Sequence, residues 1–246
     1  DIKEYDEDYT VYDYQIDARK VLNKLLKENK NVIIVGGTGL YIKALLYDYR
    51  FNKEEDSHKY DNLTNSELLG KIYKINPNSM VDKNNNRRLV RELINLENNA
   101  ENKTGDNLLY DNVYFIGLTV DRSILYDRIN KRVDIMFDDG LIDEMQLLTK
   151  MGIGRDNTSM QGIGYKEILD YWDNLGKPYG STIDENGIAL LKEQIKGDTR
   201  HFAKRQLTWF RREKVIDWIN INEYDYDCVK IMDYMLDKLK DSGIIK

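Results

Sequence analysis

Three clusters of residues in the 246-residue sequence have the types and spacing to do chemistry. The first is a glycine turn, Val35 to Tyr41, reading V-G-G-T-G-L-Y. Between a strand and a helix such a turn lets backbone N–H groups approach an anion at the helix N-terminus, and Thr38 adds a hydroxyl. The same residues equally make a tight turn with Thr38 as a cap, and the pattern is neither G-x-G-x-x-G nor G-x-x-x-x-G-K-S/T. The second cluster runs from Lys196 to Lys214, where Lys196, Arg200, Lys204, Arg205, Arg211, Arg212 and Lys214 stand against only Asp198 and Glu213. On a helix Arg200, Lys204, Thr208 and Arg211 share one stripe, and Ala203, Leu207 and Phe210 form a neighbouring apolar one. One face then anchors while the other presents cations. Arginine forks suit phosphate and diphosphate oxygens; a solvated basic face paired with the chain's many carboxylates is the plainer alternative. The third cluster is R-R-L-V-R-E, in which Arg87, Arg88 and Arg91 project together from a helix. They suit a phosphate backbone or an ordinary charged surface.

The elements that must position these residues follow from periodicity. Residues Tyr12 to Asn29 carry Tyr14, Ala18, Val21, Leu22, Leu25 and Leu26 at helical spacing. Asn31 to Val35 is a short β-branched run that reads as a buried strand, ended by the glycine turn, after which Leu40 to Leu46 resumes a helix. Helix, strand, glycine turn and helix is the order of an α/β domain with a parallel sheet. A second strand is predicted over Val113 to Val120 and a last one over Val215 to Ile221. Between the first two strands, residues 48 to 111 are rich in Asn, Asp, Lys and Glu, with short helices at Ser66–Lys74 and Arg87–Leu96. That length suits a helical insertion better than a structureless loop, with Asn98 to Asp106 as a mobile tip. Helices are further predicted over Asp121 to Lys150 with a break near Gly140, over Tyr165 to Trp172, over Asp184 to Phe210 and over Tyr226 to Leu239.

Composition bounds the rest. Forty-one per cent hydrophobic residues over this length suit a folded chain with a real core. The single cysteine, Cys228, excludes an internal disulfide. With only His58 and His201 beside it, a structural zinc site has too few ligands. The longest aliphatic run, Val32 to Val35, is far too short to span a bilayer, so a cytoplasmic protein without membrane contact is expected. A net charge of −6 argues against a nucleic-acid partner. Its distribution argues the other way, because the Lys196–Lys214 stretch carries a surplus of five positive charges.

Taken together and in order, several segments resemble the bacterial tRNA dimethylallyltransferase family. They are V-G-G-T-G-L-Y-I-K-A-L, R-R-L-V-R-E, Y-D-R-I-N-K-R-V-D-I-M-F-D-D-G-L-I-D-E, M-Q-G-I-G-Y-K-E and R-H-F-A-K-R-Q-L-T-W-F-R. The resemblance spans Val35 to Arg211. It implies a P-loop-NTPase-like α/β core with a parallel sheet and a helical insertion domain. The core would comprise residues 1–50, 111–124 and 161–246. The insertion, 51–110, would bind tRNA and be joined by helices of about 125–160. The implied reaction moves the dimethylallyl group from dimethylallyl diphosphate to N6 of the adenosine 3′-adjacent to the anticodon, position 37, of tRNA and releases diphosphate. Implied partners are the tRNA anticodon stem-loop, dimethylallyl diphosphate and Mg²⁺, acting on a monomer. By match to the family's motifs, Thr38 and Arg200 would be catalytic. Arg200, Lys204 and Arg205 would hold the diphosphate, and Thr38, Arg87, Arg88, Arg91, Gln161 and Tyr165 would contact tRNA, with Gly164 in the same segment as the last two.

Two departures stand out. Family members begin with a P-loop of the G-x-T-x-x-G-K-S/T kind and a D-S-M-Q-V-Y motif whose aspartate is the general base, and neither occurs in this sequence. The first strand, the diphosphate cradle, the metal-binding hydroxyl and the base are therefore expected outside these residues. The chain by itself is expected to be inactive, as a fragment lacking that segment or as a non-catalytic RNA-binding derivative. A smaller departure is Val81-Asp82-Lys83, where relatives carry an Ile-His-Pro-like tripeptide.

Overall fold

The computed structural model describes residues 2–49, 51, 57–60, 62–98 and 107–245. They fall into two compact units, each taken by itself: Thr10–Gly36 with Leu40–Tyr110, and Asp1–Tyr9 with Gly37–Gly39 and Asp111–Lys246.

In the smaller unit, helix α1 (Val11–Lys27) starts at a capping box in which the Thr10 hydroxyl and the Asp13 carboxylate serve each other's backbone N–H. Its polar residues then end the next helix, α2 (Gly39–Leu46). Arg19 donates to the carbonyls of Ala44 at 2.7 Å, Leu45 at 3.2 Å and Tyr47 at 2.6 Å, and Gln15 donates to Ala44 and Tyr49. A helix C-terminus exposes orphan carbonyls and a partial negative charge, so the half-buried Arg19 guanidinium serves both at once. Helices α3 (Asn65–Ile75) and α4 (Asn86–Glu97) close on a second small core of Tyr60, Leu68, Ile72, Leu89, Val90 and Leu93. Of the tip expected over Asn98 to Asp106, residues 99–106 lie outside the described residues.

One expected strand does not form. Asn31 to Val35 has no ladder partner among the described residues, and Ile33 and Val35 are 89% and 91% exposed. β-branched residues make a strand only where a neighbour accepts the backbone hydrogen bonds and covers a face. The two strands that do form pair with each other in the larger unit.

There β1 (Phe115–Thr119) lies parallel to β2 (Ile216–Asn220), with Gly117 opposite Trp218. Parallel pairing needs a crossover, and the chain supplies a helical one. It runs through α5 (Arg122–Asp138), α6 (Leu141–Lys150), α7 (Tyr165–Asn174) and α8 (Glu185–Phe210). Their inner faces meet in a core of Val133, Met145, Met160, Ile168, Leu169, Trp172, Leu191 and Ile195. Trp172 is fully buried and its indole N–H donates to the Ser181 carbonyl at 3.0 Å. Arg155 reaches Asp170 at 2.7 Å and Asp173 at 2.5 Å, tying the glycine-rich connection before α7 to that helix. After β2, Asp227 caps the closing helix α9 (Cys228–Asp241). At 26 residues α8 is about 39 Å long, so its C-terminal half runs on beyond the core, which holds only Leu191 and Ile195 of its residues.

Candidate functional site

That projecting half of α8 carries the second sequence cluster. Ala203 is buried and Leu207 and Phe210 are half-buried, while His201, Lys204, Arg205 and Thr208 are exposed. The glycine turn packs against it. Gln206 Nε2 donates to the Gly37 carbonyl at 2.8 Å, and a Cβ added to Gly37 would sit 2.5 Å from that nitrogen. A Cβ on Gly39 would sit 2.3 Å from the Trp209 ring. These glycines are needed because α8 comes too close for a side chain, which the pattern V-G-G-T-G alone does not reveal. Thr38 is exposed between two residues held by Gln206 and Trp209.

Beside this contact lies an open groove of about 420 Å³, lined by His201, Lys204, Arg205, Thr208, Trp209 and Arg212. Its chemistry is one-sided: cations, a hydroxyl and an indole, with no carboxylate. Arg205 also lies against the Phe202 ring, 5.9 Å from its centre. Such a surface suits a compact anion with an apolar or π-rich part. It does not suit a divalent cation. Among the described residues no group of three or more His, Cys, Asp or Glu is arranged to hold a metal, and the ligands of the implied Mg²⁺ are expected outside these residues.

The remaining expected residues are distributed as follows. Arg200 is one turn before Lys204, outside the groove lining, and its Nη1 donates to Asn130 Oδ1 on α5 at 2.6 Å. Arg87, Arg88 and Arg91 are exposed on α4 in the smaller unit, opposite buried Leu89, Val90 and Leu93. Three cations in the N-terminal half of a helix, with no acid in its first turn, oppose the helix dipole. Helix stability is therefore not the reason for them. Gln161 is exposed and donates to the Arg155 carbonyl at 2.8 Å. Gly164 donates its N–H to the buried carboxylate of Glu167 at 2.6 Å. Tyr165, half-buried at the start of α7, has its hydroxyl pushed up to about 12, first by burial and then by the Glu144 carboxylate beside it.

Sequence reasoning singled out Lys204, Arg205 and Thr208 but not the roles of His201, Gln206, Trp209 and Arg212. The stripe drawn from the sequence, 200-204-208-211, shares 204 and 208 with the groove lining but differs at its ends, where the groove takes 201 and 212. Spacings of three and four fit both lines, and only the position of the turn against α8 decides between them.

The sequence model of the IPP transferase family matches residues 1–213. The tRNA dimethylallyltransferase of Alkaliphilus oremlandii is 36% identical over 257 aligned residues, covering 98% of this chain and 78% of that protein. That of Bacillus anthracis is 38% identical over 239, covering 91% and 72%. The crystal structure of the full-length tRNA isopentenylpyrophosphate transferase from Bacillus halodurans superposes with a TM-score of 0.65 at 32% identity, covering 99% of this chain and 78% of that one. A eukaryotic dimethylallyltransferase acting on tRNA shares the fold, with a TM-score of 0.65 at 21% identity over 94% of this chain and 62% of that one. The fold is that of the P-loop-NTPase-like tRNA isopentenyltransferases. The chain belongs to the IPP transferase family. No helix among the described residues is long and apolar enough to cross a membrane.

Proposed function

We propose that this protein is a prenyltransferase that acts on tRNA. It moves the dimethylallyl group of dimethylallyl diphosphate to N6 of the adenosine 3′-adjacent to the anticodon, position 37. The N6 amine forms a bond to the allylic carbon, the carbon–oxygen bond to the diphosphate breaks with its electron pair, and N6 gives up a proton. The leaving diphosphate gathers negative charge, which preorganised cations stabilise. Lys204 and Arg205 in the groove, with Arg200 one turn away, take that role. Thr38, exposed in the glycine turn, offers its hydroxyl to the reacting nucleotide. An adenine stacked in an anticodon loop is not accessible to such a groove, so the base leaves its stack to react.

Arg87, Arg88 and Arg91 grip the tRNA backbone from the insertion at 51–110, and Gln161 contributes a further contact. Tyr165 supplies a ring whose hydroxyl is already engaged near Glu144. The protein works as a monomer in the cytoplasm. These 246 residues thus contribute substrate binding and charge stabilisation to the transfer.

The observation that carries this reading is the packing of the Gly-Thr-Gly turn on the cation-bearing half of α8, in a chain of this family. A second reading, an RNA-binding protein without chemistry, draws on the exposed Arg87, Arg88 and Arg91 of α4. Titration of the chain with dimethylallyl diphosphate and separately with tRNA distinguishes them. Saturable binding of both supports the prenyltransferase, and binding of tRNA alone supports the second reading.

A further inference from the structure

Helices α5 and α8 run antiparallel, and their facing residues form a ladder with a four-residue repeat. Lys192 Nζ stands 3.6 Å from Asp138 Oδ1, and Lys196 Nζ stands 2.9 Å from Asp134 Oδ1. The next rung pairs Arg200 with position 130, where the ladder would continue with an acid, but the residue is Asn130. A guanidinium has only donors, so the amide must present its oxygen, at 2.6 Å from Nη1. Among the described residues no carboxylate lies within ion-pair distance of Arg200.

A second observation concerns the far side of the same guanidinium. Gly197, a poor helix former, sits in the interior of α8 one turn before Arg200. The nearest atom to a Cβ built on it is Arg200 Nη2 at 3.9 Å. At that distance a Cβ would make only an ordinary van der Waals contact, so the glycine does not decide the space there; among the described residues none hydrogen-bonds Nη2.

We propose that Asn130 is a positioning residue for Arg200. Its amide oxygen fixes one terminal nitrogen without neutralising the charge, and the other, which no described residue hydrogen-bonds, stays available, so that the guanidinium is aimed and fully cationic when diphosphate arrives. An aspartate at 130 would hold Arg200 in the same geometry but satisfy it, as Asp134 and Asp138 satisfy the two lysines. This inference rests on the reading of Arg200 as a diphosphate ligand.

The test uses the full chain and inorganic diphosphate as the probe, with affinity from calorimetric titration and stability from the melting temperature. Asn130→Asp should raise or preserve the melting temperature and weaken diphosphate binding by about tenfold, the scale of one charge-assisted contact. Asn130→Ala, which removes the oxygen without adding charge, should weaken binding less than Asn130→Asp. A residue with only a structural role would move stability and affinity in the same direction, so opposite signs in Asn130→Asp identify positioning. Arg200→Ala is the reference variant. If it loses affinity while Asn130→Asp binds as tightly as the native chain, or Asn130→Ala is the weaker binder of the two, the role of Asn130 is wrong and the diphosphate reading stands. If Arg200→Ala itself binds diphosphate normally, both fall.

Discussion

The C-terminal half of α8 and the first turns of α4 are both arginine-bearing helix faces, yet they are built differently. On α8 the cations share a concave surface with Trp209 and Thr208, and Gln206 and Trp209 fix the glycine turn against the helix. On α4 the arginines stand exposed, with only the small core of Leu68, Ile72, Leu89 and Leu93 behind them. A concave set of cations beside an indole suits a small anion by shape as well as charge. An open set attracts any polyanion and loses affinity as salt rises. Charge counts along the sequence do not separate the two, whereas the presence of a wall does.

The comparison is broken most directly on α8. Arg200→Ala should lower affinity for dimethylallyl diphosphate by about tenfold to a hundredfold, as loss of a charge-assisted contact does, while tRNA affinity stays nearly intact. Calorimetry for the first and filter binding for the second check it. Loss of tRNA affinity alone would mean that the two regions do the same job. Gly39→Val acts on the wall and not on the charge. With a Cβ 2.3 Å from the Trp209 ring, the turn must move off α8. A cost of about 1–3 kcal/mol in stability, typical of overpacking, should accompany weaker diphosphate binding, read by thermal melting and the same titration. An unchanged melting temperature would show that the turn is not held against Trp209.

On α4, Arg88→Ala should weaken tRNA binding a few-fold and reduce the slope of log affinity against log salt by about one, without moving diphosphate affinity. The smallest effect concerns the frame that carries both strands. Tyr114 donates to Asp217 at 2.7 Å, and that hydrogen bond, with burial second, pushes its hydroxyl up to about 12. A raised acid stabilises the fold below its unfolded value, about 10, and loses that contribution as pH rises toward 12. Tyr114→Phe should therefore flatten the alkaline fall in melting temperature across that window, and an equally steep fall would remove Tyr114 from the account.

Much of the fold was legible because long amphipathic segments carry their own signal. The α8 helix was expected over Asp184 to Phe210 and spans Glu185–Phe210, and β1 and β2 lie inside the predicted runs. Asn31 to Val35 has an equally strong local pattern and makes no strand, because a strand is defined by a neighbour and not by its own residues. Of the groove lining, Lys204 and Thr208 lie on the stripe drawn from helical spacing, whereas Arg205 was singled out by its match to the family motif and Arg212 only as a member of the basic stretch. His201 and Trp209 were not singled out, since the face that matters on an exposed helix is set by what packs beside it. Asn130 gave no signal at all in the sequence. Its meaning appears only against the Asp134 and Asp138 rungs that α8 brings opposite it.

If the α8 groove is the diphosphate seat, its cations must bind the small substrate independently of tRNA. Titrating dimethylallyl diphosphate into the chain and into a Lys204→Ala, Arg205→Ala double variant tests it most directly, with tRNA affinity measured on the same samples. Saturable one-to-one binding is expected, abolished in the double variant while most of the tRNA affinity remains. Equal binding by the two proteins, or loss confined to tRNA, would contradict it.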